Sequence, residues 1–288
     1  MEPVIVVAGP TASGKTAYAV RLAIEIGAEI VSADSVQIYR GLDIGSAKPS
    51  LGERGGVPHH MIDVADPGEA FTVARYKELA LACVRDIASR GRRVVVVGGA
   101  GLYIQALTQN IRYPAAPDDG AFRSRMAAVA EAEGAGALYA MLCEADPEAA
   151  LRIHPNDTKR VIRALEAHEC GGRTMTEQVA RSRDEPPEFG FDIVGLDVGR
   201  AELYERIGRR VDEMARKGLV GEARALAERH GADCPALKSI GYKEIVAHLR
   251  GEMGLAEALD AIKMNTRRYA KRQMTWFRKT PGLHWVRA

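Results

Sequence analysis

A lysine and a threonine, placed directly after two spaced glycines, are the first residues whose order suggests chemistry. Gly9-Pro10-Thr11-Ala12-Ser13-Gly14-Lys15-Thr16 fits G-x-x-x-x-G-K-[ST], the phosphate-binding loop. The two glycines let the backbone bend closely around an anion. The N–H groups and positive end of the helix that follows then favour a di- or triphosphate. Lys15 supplies a point charge for the terminal phosphates, and the Thr16 hydroxyl suits a Mg²⁺ ligand. A glycine-rich turn that binds nothing would not need lysine and threonine in this register. The loop does not say whether its anion is a nucleotide.

A second group of residues lies near the end of the chain. Lys263, Arg267, Arg268, Lys271, Arg272, Arg278 and Lys279 follow one another with no acidic residue between them, and Tyr269, Trp276 and Phe277 are interleaved. Basic charge with aromatics suits a nucleic-acid backbone and stacked bases. A solvated helix face with an aromatic stripe turned to the core accounts for that stretch equally well. His59-His60 reads as structural, because adjacent residues on a loop make poor joint metal ligands. Cys83, Cys143, Cys170 and Cys234 are far apart with no C-x-x-C, which indicates reduced cysteines rather than a zinc knuckle or a disulfide framework.

The elements that must position these groups alternate. Val4-Ile5-Val6-Val7-Ala8 is an apolar run of the buried-strand type, and Tyr18, Leu22 and Ile26 give the following helix its period, with Gly27 as the stop. Residues 29–33 read as a second strand ending at Asp34-Ser35, followed by a polar loop from Val36 to about Pro58. Thr72 suits the N-cap of a helix over 72–90, closed by Gly91. Val94-Val95-Val96-Val97 reads as a strand buried on both faces, and a helix over 102–109 follows Gly98-Gly99-Ala100-Gly101. From about Tyr113 to Pro187 only helical periods appear, over 122–133, 137–145, 156–170 and 174–180, with Asp184-Glu185-Pro186-Pro187 as a linker. A strand resumes at 191–196, and helices over 200–217, 219–230, 239–250 and 254–279 precede a short strand at 283–286. The expectation is an α/β fold: a P-loop NTPase-like parallel sheet core, 1–112 and 190–288, with an all-helical domain inserted at 113–189.

The 288 residues suffice for one large or two modest domains, and 47% hydrophobic with 27% charged is an ordinary globular composition. A net charge of +2 is too small to argue for nucleic acid, so charge distribution must decide. No apolar run approaches a membrane span, and with a strand at the start of the sequence no signal peptide is expected. The expectation is a cytoplasmic monomer away from membranes.

In order, these residues resemble a family, the tRNA dimethylallyltransferases, also called tRNA isopentenyltransferases. Beyond the phosphate loop, the resemblance rests on Ser32-Ala33-Asp34-Ser35-Val36-Gln37-Ile38-Tyr39, Asp43-Ile44-Gly45-Ser46-Ala47-Lys48-Pro49 and Val97-Gly98-Gly99-Ala100-Gly101-Leu102-Tyr103. It continues through His154-Pro155-Asn156-Asp157, Ser239-Ile240-Gly241-Tyr242 and Thr266-Arg267-Arg268-Tyr269-Ala270-Lys271-Arg272-Gln273, so it covers essentially the whole chain. The phosphate loop alone is shared by many unrelated proteins, whereas the ordered set is specific.

The resemblance implies transfer of a dimethylallyl group from its diphosphate to the exocyclic amine of the adenosine 3′ of the anticodon. The phosphate loop would then hold a prenyl diphosphate, with Mg²⁺ at Thr16, instead of ATP. A weakly nucleophilic amine would benefit from a carboxylate that takes its proton, and Asp34, at the mouth of the sheet, fits that role. The resemblance further implies that Ser35, Val36 and Gln37 line the adenosine and that Arg210 binds diphosphate. RNA would be gripped by Arg123, by Lys159-Arg160-Val161-Ile162-Arg163, and by Lys238, Ser239, Ile240, Gly241, Tyr242 and Lys243.

Read without the family, Asp34 could be an N-cap or a Mg²⁺ ligand, and Arg210 one member of a surface pair with Asp212 or Glu213. Lys159, Arg160 and Arg163 would be a solvated face. One departure is specific: the family usually has Val-Gly-Gly-Thr-Gly-Leu-Tyr, and this chain has Ala100 at the threonine. The lost hydroxyl bears on turnover and leaves the fold untouched. Ser46 in place of the usual threonine keeps a hydroxyl. Three rivals remain: a P-loop kinase, for which no Walker-B aspartate follows the third strand; an RNA-binding NTPase switch that modifies nothing; and a prenyltransferase acting on free adenylate, against which the helical insert and basic helix weigh.

Overall fold

In the computed structural model, residues 2–111, 120–182 and 186–287 are described. The chain forms two compact units, Met1–Thr108 with Phe189–Ala288, and Gln109–Glu188. The expected boundary at 112–113, together with Tyr113, Asp184 and Glu185, lies outside the described residues.

The first unit is built on a six-stranded sheet in which every pairing is parallel, in the order β3-β2-β4-β1-β5-β6. The strands are β1 (Val4–Ala8), β2 (Ala28–Ala33), β3 (His59–His60), β4 (Arg93–Gly98), β5 (Phe191–Asp197) and β6 (Leu283–Arg287). β2 is buried along its whole length and β4 nearly so, as continuous apolar runs covered on both faces require. β3 was expected to be loop. It forms as a two-residue edge strand because Pro58 accepts from the Ile30 N–H at 2.9 Å and starts the ladder. The histidines there are structural: His60 Nε2 lies 2.8 Å from buried Glu29, which also pairs with Arg90, and His59 Nδ1 lies 2.8 Å from the Val57 carbonyl.

Helices α1 (Lys15–Ile26), α2 (Val73–Ser89) and α3 (Gly101–Thr108) follow β1, β3 and β4. Thr72 caps α2 as expected, its side chain accepting from the Arg75 N–H at 3.2 Å. After β5 come α9 (Arg200–Arg216), α10 (Leu219–His230), a 3₁₀ turn (Pro235–Lys238), α11 (Tyr242–Leu249) and α12 (Leu255–Phe277). The expected helix over 239–250 starts later, at Tyr242, because Gly241 takes φ 99° there and Glu244 accepts its N–H at 2.8 Å.

The second unit consists, among the described residues, of helices α4 (Ala121–Glu133), α5 (Ala135–Ala145), α6 (Pro147–Ala150), α7 (Thr158–Glu169) and α8 (Met175–Ser182). Its core is formed by Phe122, Met126, Leu138, Leu142, Val161, Ala164 and Leu165 with their neighbours. The short α6 escaped the helical-period reading because four residues are barely one turn. Its N-cap, Asp146, bonds the Ala149 N–H at 3.0 Å and reaches across to Thr176 Oγ1 at 2.7 Å. No helix among the described residues is long and apolar enough to cross a membrane, and the four cysteines are free thiols.

Candidate active site

The site lies where β1, β2 and β4 end, at the carboxyl edge of a parallel sheet, the position at which open α/β sheets bind ligands. β1 turns into the phosphate loop. Ala12 at φ 64° and Gly14 at φ 88° bring the chain back on itself, and the Ser13 N–H bonds Pro10 O at 3.2 Å. An alanine in the left-handed region is strained, and such residues gather at functional turns. α1 then begins with no side-chain cap, so its first N–H groups face the loop's concavity. Ser13 Oγ is buried and has no hydrogen-bond partner among the described residues.

Lys15 lies along the loop, its Nζ donating to Pro10 O at 3.3 Å. Burial pulls its pKa down to about 8; the charge of Asp34 opposes that fall, and Arg210 adds to it. Arg210 is lowered by burial too, with Asp34 as the first acid holding its charge, and its Nη2 donates to Ser46 O at 3.2 Å. The surface-pair reading of Arg210 does not hold. Among the described residues, Glu213 pairs with Lys217 at 2.8 Å and Asp212 with Lys263 at 2.6 Å, which leaves Arg210 turned inward.

The charge of Asp34 acts on both of these cations. Its Oδ1 accepts from the N–H groups of Val36 at 2.9 Å and Gln37 at 3.2 Å, so one oxygen fixes the turn after β2. The N-cap-like reading of Asp34 is therefore correct for one oxygen. Its charge is also felt by Tyr76, Tyr103 and Tyr269, each of which burial pushes up, Tyr269 to about 12. Tyr76 and Tyr103 stack with ring centroids 3.9 Å apart, and Tyr76 donates to Ser32 O at 3.1 Å. The phenols stay neutral in the field of that carboxylate.

Ala100 sits beside this group at the start of α3. Its N–H bonds Ala33 O at 3.1 Å and its carbonyl accepts from Tyr103 and Ile104. The Gly98 and Gly101 positions allow this approach. A Cβ on Gly98 would strike the Ala33 carbonyl, and one on Gly101 would meet the Trp276 ring at 2.5 Å. Ser35 is exposed and Val36 half-buried at the mouth, while Gln37 donates to the Ala47 carbonyl at 3.2 Å.

The loop beneath this mouth is held from below by a carboxylate. Glu222 accepts from the N–H groups of Asp43 at 3.1 Å, Ile44 at 2.8 Å and Gly45 at 3.1 Å, and from Tyr242 Oη at 2.6 Å. Tyr242 and Gly241 are therefore not RNA-facing as expected. Tyr242 is fully buried, its ring occupying the space where Gly45 lacks a Cβ. Lys238 and Lys243 are exposed, and Ser239 and Ile240 half-buried. Lys48 is also drawn in, pairing with Asp43 at 2.6 Å and Asp63 at 2.5 Å.

In the helical unit, Lys159, Arg160 and Arg163 are exposed on α7, with Arg160 lying 3.4 Å from Asp157. Val161 is corrected: it is fully buried in that unit's core with Ala164 and Leu165, and Ile162 packs partly against the same core. The spacing 161, 164, 165 already carried that signal. Arg123 makes a two-pronged contact with Glu166, at 2.8 and 3.0 Å.

The arrangement combines a phosphate cradle, two cations and a carboxylate whose hydrogen bonds among the described residues all fall on Oδ1, which suits proton removal next to a departing diphosphate. The comparisons with known proteins agree on one family. The model of the IPP transferase family matches residues 37–280. The chain belongs to the IPP transferase family. It is 45% identical to a tRNA dimethylallyltransferase of Bacillus subtilis over 284 residues, 99% of this chain and 90% of that one. It is 49% identical to one of Anaeromyxobacter dehalogenans, covering 98% and 94%. Among solved structures it resembles the full-length tRNA isopentenylpyrophosphate transferase of Bacillus halodurans (TM-score 0.74, 41% identity, 100% of this chain and 90% of that). It also resembles a eukaryotic dimethylallyltransferase acting on tRNA (TM-score 0.82, 28% identity, 100% and 74%).

The sequence reading assigned no role to Gln273, Glu222, Tyr76 or Tyr103. Gln273 and Tyr103 lie inside stretches that carry the family resemblance. Glu222 gave no local signal, since the backbone N–H groups it binds are about 180 residues away in sequence and Tyr242 is 20 away.

Proposed function

We propose that the chain transfers the dimethylallyl group of dimethylallyl diphosphate to the exocyclic amine of the adenosine 3′ of the anticodon in tRNA, releasing diphosphate. The observation that carries this reading is Asp34, a carboxylate at the end of β2 whose charge acts on both Lys15 of the phosphate loop and Arg210. A kinase or a nucleotide-hydrolysing switch is disfavoured by the family to which the chain belongs.

In the reaction, the allylic C1–O bond to diphosphate breaks and a bond from the adenine N6 to C1 forms. The phosphate loop, Lys15 and Arg210 stabilise the charge that collects on the leaving diphosphate. Asp34, held by Val36 and Gln37 through Oδ1, accepts the amine proton through its other oxygen. Ser35, Val36 and Gln37 border the adenine. Mg²⁺, when bound, would neutralise diphosphate charge, and Thr16 with the substrate's own phosphate oxygens would hold it. Mg²⁺ commonly takes one or two protein oxygens plus phosphates and water, and a hydroxyl beside the cradle fits that donor set.

RNA would be held through its backbone, by Lys159, Arg160 and Arg163 on the helical unit and by the basic face of α12 on the core. Lys238 and Lys243 add further exposed charge. The adenosine lies in an anticodon loop and is already unpaired, so extruding it costs little. The reading places the reaction in the cytoplasm on a monomer.

Purified protein incubated with tRNA, labelled dimethylallyl diphosphate and Mg²⁺, without ATP, should yield prenylated adenosine in the RNA and free diphosphate in equal amounts. Label entering AMP in preference to tRNA would replace the RNA substrate by a free nucleotide. ATP-dependent phosphorylation with no prenyl transfer would overturn the reading.

A further inference from the structure

Gln273 lies in the last turns of α12, between exposed Lys271 and Arg272 on one side and exposed Thr275 and Trp276 on the other, yet only 5% of it is exposed. A buried primary amide is costly unless both its donor and its acceptor are used. Here both are used, and on functional backbone. Gln273 Oε1 accepts from the Thr11 N–H of the phosphate loop at 2.9 Å, and Nε2 donates to the Gly99 carbonyl at 2.8 Å. Thr11 and Gly99 belong to the turns that leave two adjacent parallel strands, whose register ends at Ala8 opposite Gly98.

Beyond that last pair the two chains diverge, one into the phosphate loop and the other into α3. A side-chain amide carries the same donor and acceptor as a peptide group, so Gln273 adds one rung to the sheet past its natural end. Gly99 is required for it, because a Cβ there would collide with Nε2 and also approach Gly9 O at 3.3 Å. The rung fixes the distance between Lys15, four residues after Thr11, and Ala100, one residue after Gly99. The loop is also held from α9, where Arg206 Nη1 donates to the Ser13 carbonyl at 3.3 Å, but among the described hydrogen bonds only Gln273 joins the loop to the turn before Ala100.

We propose that Gln273 is a positioning residue: its amide holds the diphosphate cradle in register with the turn at Ala100, and it does so without contacting RNA. This rests on the transfer reaction proposed above. A misplacement of about 1 Å at a reacting centre can cost about 10²-fold in rate. Glutamate keeps only the acceptor, and methionine keeps the length and loses both bonds. Asparagine is one methylene too short to span them.

The test uses Gln273→Met, Gln273→Glu and Gly99→Ala in the full chain. Three quantities are measured: the affinity for inorganic pyrophosphate with Mg²⁺, the affinity for an anticodon stem-loop RNA, and kcat at saturating RNA. Gln273→Met should weaken pyrophosphate binding about tenfold and lower kcat by 10- to 100-fold, with RNA affinity within about twofold of wild type. Gln273→Glu should fall between. Gly99→Ala displaces the same amide from the opposite side, so it should reproduce the loss even if Gln273→Met fails to fold, and Gln273→Ala added to it should cost little more. A fall in RNA affinity with pyrophosphate affinity and kcat intact would make Gln273 an RNA contact and overturn the proposal. A lowered melting temperature with both site parameters unchanged would reduce it to a structural bond, which also overturns it. If the wild type transfers no prenyl group, the functional reading fails, while the pyrophosphate comparison still decides the role of Gln273.

Discussion

Replacing Lys15 by methionine should destroy diphosphate use and at the same time stabilise the ligand-free protein. Lys15 ordinarily titrates at 10.5, and burial, aided by Arg210, brings it to about 8 in the fold. At about 1.4 kcal/mol per tenfold, holding that charge at pH 7 costs at most about 3 kcal/mol, less what solvent screening and the bond to Pro10 O return. The sign follows from the order of the two values. The unfolded chain keeps the proton more tightly, so the penalty is complete below about pH 8, shrinks as pH rises toward 10.5, and vanishes above it. Wild type should therefore gain stability relative to Lys15→Met across that window, and the variant should melt higher at pH 7. Ligand affinity runs the other way. About nine-tenths of Lys15 is charged at pH 7 and about one-tenth at pH 9, so its contribution to pyrophosphate affinity should fall about tenfold between them. Calorimetric titration of both proteins with inorganic pyrophosphate and Mg²⁺ at pH 7, 8 and 9 isolates this effect, because the ligand's own ionisation is common to both. A variant that melts lower at pH 7, or a pH dependence identical in the two proteins, would refute the argument.

Asp34→Asn preserves the bonds to Val36 and Gln37 but cannot accept a proton, so kcat should drop by about 10²–10⁴; an activity within a fewfold of wild type, at saturating substrates, would remove Asp34 as the base. Ala100→Thr places a hydroxyl at the residue just before α3, the cap position that threonine favours, and should add about 1 kcal/mol of stability. If the same hydroxyl also reaches the reacting groups, kcat should rise as well; a fall would mean the site has repacked around alanine. Arg160→Ala and Arg163→Ala should each weaken binding of many tRNAs alike and reduce the slope of log affinity against log salt by about 0.7, leaving kcat at saturating tRNA unchanged. Unchanged salt slopes would return both arginines to a solvated face.

What the sequence determined is what the chain fixes within a few residues. The phosphate loop follows from two glycines and their neighbours between β1 and α1, and the buried strands follow from apolar runs such as Val94-Val95-Val96-Val97. Thr72 as an N-cap and the change to purely helical periods after α3 are local signals of the same kind. The register 161, 164, 165 is equally legible, a helical stripe that puts Val161 in a core despite its basic neighbours. The ordered motifs, taken together, named a family because their order and spacing across the chain are specific where the phosphate loop alone is not.

The tertiary structure alone decided which distant groups meet. Gln273 bonds Thr11 across 262 residues of sequence, and Glu222 closes on the 43–45 turn across about 180. Nothing in residue spacing encodes such contacts, because helix and strand periods describe a face and leave its partner unspecified. Arg210 could be read from sequence as a surface pair; packing turned it inward, toward Asp34, and gave its neighbouring acids to Lys217 and Lys263. Tyr242 looked like an exposed contact and proved to be a wedge under Gly45. Burial also set the chemistry of Lys15, an ordinary lysine by composition, whose proton is loosened mainly because the fold takes its ammonium out of water and, to a lesser degree, by Arg210.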